Sequence, residues 1–181
     1  MRFFKYSMIL TFGLFLSACS TQKPMPTVDY VDLGRFMGDW YVIANIPTFL
    51  ERDAYNPMES YRLDDDGTIA TTFTFNKGSL RGELKQYYPR GFITDADSNA
   101  VWGMQFLWPI KADYRIVYLD DQYEQTIIGR TSRDYVWVMA RTPNISESDY
   151  AQLVSIVESL GYNTSLLVVA SHQLVAKSSE K

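Results

Sequence analysis

The residue types that most often carry out chemistry are scarce in this sequence. It has one histidine, His172, and one cysteine, Cys19, so a metal site built from several His and Cys ligands cannot form. Neither a G-x-S-x-G nucleophile motif nor a G-x-x-x-x-G-K phosphate loop occurs. Acidic residues cluster at 64–67 and 119–123, in stretches typical of turns. We therefore expect no metal, no cofactor and no enzyme activity, and we interpret His172 as a solvated residue at the end of the last strand.

The N-terminal sequence gives the single cysteine a different chemistry. Two basic residues precede an apolar run from Met8 to Leu16, which is too short for a permanent membrane helix and is typical of an export signal. The sequence Leu-Ser-Ala-Cys at 16–19 resembles the bacterial lipobox, whose cysteine is acylated and becomes the first mature residue. We therefore expect a signal peptide over 1–18 and a lipidated Cys19 with no disulfide partner. An ordinary small-residue cleavage site is the alternative.

The mature sequence also indicates a location. The lipobox resemblance implies three acyl chains, which anchor a protein stably where one chain would hold it only marginally. Ser20 occupies the position where an aspartate would indicate retention in the inner membrane, so the resemblance implies the outer-membrane bilayer. Removing Arg2 and Lys5 leaves 15 of the 17 basic residues against 21 acidic ones, a formal net charge of −6. With no basic stripe carrying interleaved aromatics, the sequence argues against a nucleic-acid partner.

Composition predicts one folded domain behind a short tether. Residues 19–30 contain two prolines and few apolar side chains, a pattern that favours an extended, lipidated tether. The chain of 181 residues is 46% hydrophobic and 15% aromatic, which is enough to bury one core. We therefore expect a folded domain over 31–176 and a polar tail over 177–181.

Eight short segments with strand-like patterns follow one another between Trp40 and Arg141, separated by turns rich in Asp, Asn, Gly and Ser. The predicted strands are 39–45, 58–63, 68–75, 83–93, 100–108, 113–120, 125–130 and 135–141. Pro89 must lie at a bulge or edge of its strand because it cannot donate a ladder hydrogen bond. Eight sequential antiparallel strands predict an all-β, up-and-down barrel, which has no exposed edges. A β-sandwich is the alternative.

The pattern then changes to that of a helix. Five residues recur at the spacing of one helix face: Tyr150, Leu153, Val154, Val157 and Leu160. Ser146 fits an N-cap and Gly161 a C-terminal cap, so the predicted helix has about 15 residues. Its apolar face is expected to pack on the outside of the barrel. A last apolar run, 166–170, predicts a short ninth strand.

This order of elements resembles the lipocalin family. Gly38 and Trp40 match the family's Gly-x-Trp motif at the start of the first strand. Asp121 and Tyr123 loosely match its acidic-aromatic turn between the sixth and seventh strands, and Arg141 matches the arginine that ends the eighth. The resemblance covers about residues 33–170. Together with the lipobox, it points to bacterial outer-membrane lipoproteins of the branch related to apolipoprotein D.

Barrel closure gives the motif residues a structural role. The first and eighth strands become neighbours, so the Arg141 guanidinium is expected to lie on the Trp40 indole, a contact that contributes about 0.5–2 kcal/mol. Gly38 would leave room for the chain to cross beneath them. We therefore interpret Trp40 as part of the closed end of the barrel and expect the binding site at the other end.

The alternation of inward and outward side chains along each strand indicates which residues could line a cavity. Burying Arg115 without a partner would be costly, so the tyrosine face of its strand is expected to point inward. In the fifth strand, Phe106 and Trp108 are chosen as the inward pair, and Gln105 and Leu107 are the alternative. The lining candidates are Phe73, Phe75, Phe106, Trp108, Tyr114, Ile116, Tyr118, Tyr135, Trp137 and Met139. On the eighth strand this leaves Val136, Val138 and Ala140 to receive the helix. The alternative is that these aromatics fill the barrel as core.

The family resemblance implies binding of fatty acids or lysophospholipids, with the headgroup near the mouth, where Lys111, Arg130 or Arg133 could meet a phosphate. Otherwise these three are ordinary loop residues. The preferred hypothesis is a lipid-binding storage or transport protein of the cell envelope. A structural or interaction lipoprotein with a filled barrel is the second hypothesis, and a lipocalin-type enzyme the third. The sequence leaves the native ligand undetermined and the oligomeric state open between monomer and homodimer.

Overall fold

Antiparallel strands form most of the computed structural model, which describes residues 24–173. The predicted signal segment and Cys19 lie outside the described residues. The strands in chain order are β1 (Gly38–Ile46), β2 (Ala54–Leu63), β3 (Thr68–Lys77), β4 (Leu84–Tyr87), β5 (Arg90–Ile93), β6 (Val101–Leu107), β7 (Ile110–Leu119), β8 (Gln125–Gly129), β9 (Val136–Ala140) and β10 (Val168–Val169).

The sheet closes on itself. Hydrogen-bonded neighbours follow the order β1-β2-β3-β5-β6-β7-β8-β9, and β9 pairs back on β1 from Tyr41 opposite Ala140 to Ile46 opposite Val136. Eight strands thus form a closed circuit, which confirms the predicted barrel and excludes the sandwich. β4 pairs with β3 and β10 pairs with β1, both off this circuit.

Two strands depart furthest from their predicted limits. The predicted fourth strand, 83–93, is divided into β4 and β5 at Pro89, which has no N–H for the ladder but accepts a hydrogen bond from the Thr71 N–H at 3.2 Å. The predicted second strand begins earlier, at Ala54. Its first residues were missed because the strand contains an irregularity between Tyr55 and Met58. Such a bulge interrupts the alternation on which the prediction depended.

The predicted helix is present as α2 (Glu147–Ser159). The Ser146 hydroxyl accepts a hydrogen bond from the Asp149 N–H, and Gly161 follows the helix at a φ of +89°. Leu153 and Val157 are buried in one cluster with the outer residues of β9, Val136, Val138 and Ala140, as predicted. No helix within residues 24–173 combines the length and the apolar character that crossing a membrane requires.

Aromatic rings fill the barrel at the end where β1 begins. A one-turn helix, α1 (Leu33–Phe36), covers this end and inserts the buried Phe36 ring. The Phe36 ring centroid lies 5.1 Å from that of Trp40, 5.8 Å from Tyr61 and 5.6 Å from Trp102. The rings of Trp102 and Tyr114 stack at 5.0 Å. We call these five residues the aromatic plug. Aromatic side chains thus fill this half of the barrel, and Tyr114 is the member of the plug that was predicted to line a cavity.

Arg141 fastens the closed end. Its guanidinium carbon lies 3.8 Å from the centroid of the Trp40 ring, which confirms the predicted contact. The guanidinium also donates hydrogen bonds to the backbone oxygens of Arg35, Phe36, Asp39 and Tyr123, at 2.7, 3.0, 2.8 and 3.2 Å. Gly38 adopts a φ of +93° beside this guanidinium, a conformation that side chains other than glycine rarely accept. One side chain thus joins α1, β1 and the turn that follows β7.

The turn between β7 and β8 contains the predicted motif residues Asp121 and Tyr123. The carboxylate that closes the turn belongs to Asp120, which accepts hydrogen bonds from the N–H groups of residues 124–125 at 2.7 and 2.8 Å. Asp121 contributes its backbone oxygen instead, which accepts from Arg35 at 2.9 Å. The Tyr123 ring lies 3.9 Å from the Arg35 guanidinium carbon. In this turn the side chain of Asp120 and the backbone oxygen of Asp121 therefore have separate roles.

Both ends of the described chain pack more closely than the sequence predicted. Met25, expected in the extended tether, is buried, and the Val28 N–H donates to the Ile116 oxygen at 3.0 Å. The His172 ring is half-buried and lies 2.8 Å from the Val42 oxygen, so the interpretation of this residue as solvated was wrong. Burial lowers the pKa of His172. The barrel surface therefore begins to order the chain before Val31.

Replacing Arg141 by alanine should lower the free energy of unfolding by about 2–4 kcal/mol. The change removes the contact with Trp40 and the four hydrogen bonds from the guanidinium to backbone oxygens. Arg141→Lys keeps the charge but not the forked geometry of the guanidinium. The free energy of unfolding of this variant should therefore lie between those of wild type and Arg141→Ala. Urea unfolding measures the loss. A variant that unfolds like wild type would show that this side chain does not fasten the closed end.

Candidate functional site

A cavity of about 370 Å³ occupies the half of the barrel opposite the aromatic plug. It opens among the loops that follow β1, β6 and β8, and its volume lies within the usual range for small-molecule sites. Most of the side chains around it are apolar: Phe49, Leu50, Phe73, Pro89, Met104, Phe106, Leu107, Ala112 and Trp137. The barrel therefore has one filled and one hollow half.

Four of the predicted lining residues border the cavity: Phe73, Phe106, Tyr114 and Trp137. Ile116 and Met139 point into the barrel as predicted but lie in the buried core with the aromatic plug. Phe75 is also buried, and its ring packs on those of Phe73 and Tyr87. Phe75, Ile116 and Met139 are thus inside the structure without bordering the cavity.

Three predicted orientations were wrong. Trp108 is 81% exposed, because the pairing of β6 with β7 is irregular after Met104 and the chain then turns outward. Tyr118 packs in the outer cluster beneath α2, because a bulge between Ile116 and Tyr118 reverses the alternation of β7. Tyr135 precedes β9 and packs in the same outer cluster.

A buried carboxylate holds the loop between β1 and β2 against the barrel wall. Glu51, only 7% exposed, accepts hydrogen bonds from the Trp137 indole N–H at 2.7 Å and from the Asn45 amide at 3.3 Å. It also accepts from the N–H and the hydroxyl of Thr48, at 2.9 and 2.6 Å. Sequence reasoning missed this residue, although its spacing from Thr48 is that of a capping box. Glu51 therefore fixes both the mouth loop and the Trp137 ring.

A second carboxyl, Glu59, borders the cavity where it meets the aromatic plug. The Tyr61 hydroxyl donates a hydrogen bond to Glu59 Oε2, and the Tyr61 and Tyr114 hydroxyl oxygens lie 2.7 Å apart. Burial raises the pKa of Glu59 to about 7; the charge of Glu51 adds to this rise and the Tyr61 bond opposes it. Glu59 and Tyr61 are two residues apart on one strand, so their side chains point to the same face. This spacing was the signal available in the sequence.

One of the three basic residues predicted near a headgroup borders the cavity. This is Arg130, whose Nη1 lies 3.3 Å from the Asp134 carboxylate. Its Nε is buried, and no residue within 24–173 accepts a hydrogen bond from it. Lys111 instead lies over the Phe92 ring at 3.5 Å, and Arg133 donates to a backbone oxygen at the end of α2 at 2.7 Å.

The open end carries a group of exposed apolar side chains, which we call the apolar rim: Phe49, Leu107, Trp108 and Ile110. Phe49 belongs to the loop after β1, and the other three lie at the turn that joins β6 to β7. Exposed apolar groups collected in one place indicate a surface that meets another apolar surface. In the described range, no cluster of three His, Cys, Asp or Glu side chains is arranged to hold a metal ion.

Several known proteins share this architecture. A family model for the lipocalin-like domain matches residues 31–172. The outer membrane lipoprotein Blc of Escherichia coli K12 is 28% identical over 163 residues, which cover 87% of this chain and 90% of that protein. Temperature-induced lipocalin-1 of Arabidopsis thaliana is 30% identical over 158 residues, covering 81% and 82%.

Solved structures resemble the fold at lower sequence identity. Lobster apocrustacyanin A1 superposes with a TM-score of 0.63 at 10% identity, covering 83% of this chain and 92% of that one. The cockroach allergen Per a 4 gives a TM-score of 0.62 at 16% identity, covering 82% and 92%. These two structures bear on the barrel architecture alone.

The raised pKa of Glu59 predicts a pH dependence of stability. The folded state holds this proton more tightly than the unfolded state, so the stabilisation is complete below about pH 4.5 and is lost as pH rises through 7. Glu59→Gln removes the titration. The unfolding free energy of wild type should therefore fall, relative to that of Glu59→Gln, by about 2–3 kcal/mol between pH 4.5 and 8.

Urea unfolding at a series of pH values measures this difference. Glu158→Gln, at an exposed position of α2, is the matched control and should follow the wild-type profile. Parallel profiles for wild type and Glu59→Gln would contradict the prediction.

Proposed function

The chain belongs to the lipocalin family, and we propose that it binds single-chain lipids, fatty acids or lysophospholipids, in the barrel cavity. Like its bacterial relatives, each named outer membrane lipoprotein Blc, it is a lipid-anchored protein of the outer membrane. The proposed role is storage or transport of these lipids within the cell envelope. Its family is one of binding and transport proteins rather than of enzymes.

The observation that carries this proposal is the apolar cavity, closed at one end by the aromatic plug and open at the other. A single acyl chain fits such a shape, because a narrow apolar tube buries methylene groups on all sides. Each buried methylene contributes about 0.8 kcal/mol, so about ten of them offset a substantial part of the cost of association. The headgroup then remains at the mouth, near Arg130.

The position of the proposed anchor supports the same ligand class. If Cys19 is acylated, only a short stretch of chain connects it to Pro24, where the described residues begin. A stretch of about five residues spans at most about 18 Å, so the domain stays close to the bilayer that would supply its ligand. The apolar rim gives the mouth a surface compatible with that bilayer. Single-chain lipids would therefore reach the cavity over a short distance.

Native mass spectrometry of the domain without Cys19, purified free of detergent, tests the proposal. Co-purified lipid, or displacement of a fluorescent fatty acid at micromolar concentration, is the expected result. Failure to take up any single-chain lipid would reject the proposal in favour of a structural or interaction lipoprotein. The same spectra distinguish a monomer from a homodimer.

Trp137→Ala should weaken uptake of a fluorescent fatty acid by about tenfold. The indole borders the cavity, and its loss removes apolar contact area and the hydrogen bond to Glu51. The far-UV circular dichroism should remain that of the barrel. Trp108→Ala is the matched control, because this tryptophan is exposed outside the cavity, and it should bind as wild type does in solution. Equal affinities for wild type and Trp137→Ala would remove Trp137 from the lining.

Arg130→Gln should weaken binding of a lysophospholipid by about threefold to tenfold and leave that of an uncharged monoacylglycerol unchanged. Arg130 borders the cavity at its mouth, and its guanidinium can donate charge-assisted hydrogen bonds to a phosphate. Its ion pair with Asp134 limits the size of the effect. Displacement titrations with the two ligands give the comparison. A parallel loss for both would mean that Arg130 shapes the mouth without recognising the headgroup.

A further inference from the structure

The inner end of the cavity carries a polar group that a plain acyl chain would leave unused. We infer that Glu59, supported by Tyr61 and Tyr114, forms a second recognition site, which binds a hydroxyl group carried by the buried end of the ligand. The ligand class is a single-chain lipid with a hydroxyl at the end remote from its headgroup. This inference rests on the proposed function and adds a specificity to it.

The hydrogen bonds leave an acceptor facing the cavity. Tyr61 donates to Glu59 Oε2, so its own oxygen accepts from the Tyr114 hydroxyl 2.7 Å away. Both tyrosine protons are then engaged in one chain of bonds that ends on the carboxyl. Among the residues that the structure describes, no donor reaches Oε1 of Glu59, which borders the cavity. An acceptor at the inner end of the cavity without a protein donor can be satisfied by a ligand hydroxyl.

The surrounding charges determine which ligand end can approach Glu59. The titratable groups that border the cavity are Glu51 before β2, Asp113 and Tyr114 on β7, and Arg130 after β8. The one cation among them, Arg130, is paired with Asp134. A ligand carboxylate or phosphate at the inner end would therefore meet acidic groups without a free cation. An anionic headgroup is favoured at the mouth, and the inner site receives the opposite end of the chain.

A hydroxyl suits the inner site in both protonation states of the carboxyl. Burial raises the pKa of Glu59 to about 7, so both forms occur near neutral pH. A hydroxyl donates to the ionised carboxylate and accepts from the neutral acid. An apolar chain end can only cover the carboxyl, which favours its neutral form. Binding of the plain chain should therefore weaken as pH rises through 7, whereas binding of the hydroxylated chain should not.

The test compares dodecanoic acid with ω-hydroxydodecanoic acid, which differ only at the buried end. Affinities are measured for the full chain by displacement of a fluorescent fatty acid at pH 6 and pH 8. In wild type the hydroxylated acid should bind as tightly as the plain acid or more tightly. In Glu59→Leu it should bind at least about tenfold more weakly than the plain acid, because its hydroxyl is buried without a partner.

Control variants separate this site from a general effect on the fold. Glu158→Leu, at an exposed position of α2, should keep the wild-type ratio of the two affinities. Glu59→Gln keeps an acceptor, so it should keep the preference for the hydroxyl and lose the pH dependence. If the ratio of the affinities for the hydroxylated and the plain acid is the same in wild type and Glu59→Leu, the inference is overturned. Tighter binding of ω-aminododecanoic acid than of the hydroxylated acid would also overturn it. Dodecanoic acid alone tests the proposed function, so the two failures are distinguishable.

Discussion

The contact between the Arg141 guanidinium and the Trp40 indole is the interaction on which the rest of the structure depends. A barrel closes only where its first and last strands meet. The pairing of β1 with β9 forms that junction, and Arg141 fastens its end on Trp40 while also binding the backbone oxygens of α1 and of the turn after β7. Because the planar guanidinium presents several donors at once, one side chain can satisfy oxygens from three segments. Closure at this end leaves the opposite end as the entrance to the barrel.

Sealing one end also divides the interior. The aromatic plug fills one half of the barrel, and its rings are fixed by hydrogen bonds as well as by contact, since the Trp40 indole donates to the Phe36 oxygen at 2.8 Å. Beyond the plug, Glu51 holds the mouth loop and the Trp137 ring against the wall, where both border the cavity. The inward-facing aromatics therefore pack as core in one half of the barrel and border the cavity in the other.

Sequence patterns predicted the barrel, the helix and its contact face because these depend on regular alternation. Val136, Val138 and Ala140 receive α2 as the period of two requires. The errors occur where the alternation breaks. A bulge after Ile116 turns Tyr118 outward, and an irregular pairing after Met104 ends with Trp108 exposed. A bulge depends on the partner strand, so one strand's sequence does not reveal it.

The polar part of the site escaped prediction for a different reason: a charged residue on a strand or in a loop is normally assigned to the solvent side. Two glutamate carboxyls border the cavity, and their surroundings differ. Glu51 receives four hydrogen bonds and fixes a loop, as a structural carboxyl should. Glu59 receives one from Tyr61 and borders the cavity. Departures from the usual satisfaction of polar groups concentrate at functional sites. The position of Glu59 at the cavity is therefore the reason for proposing that its second oxygen meets a ligand hydroxyl.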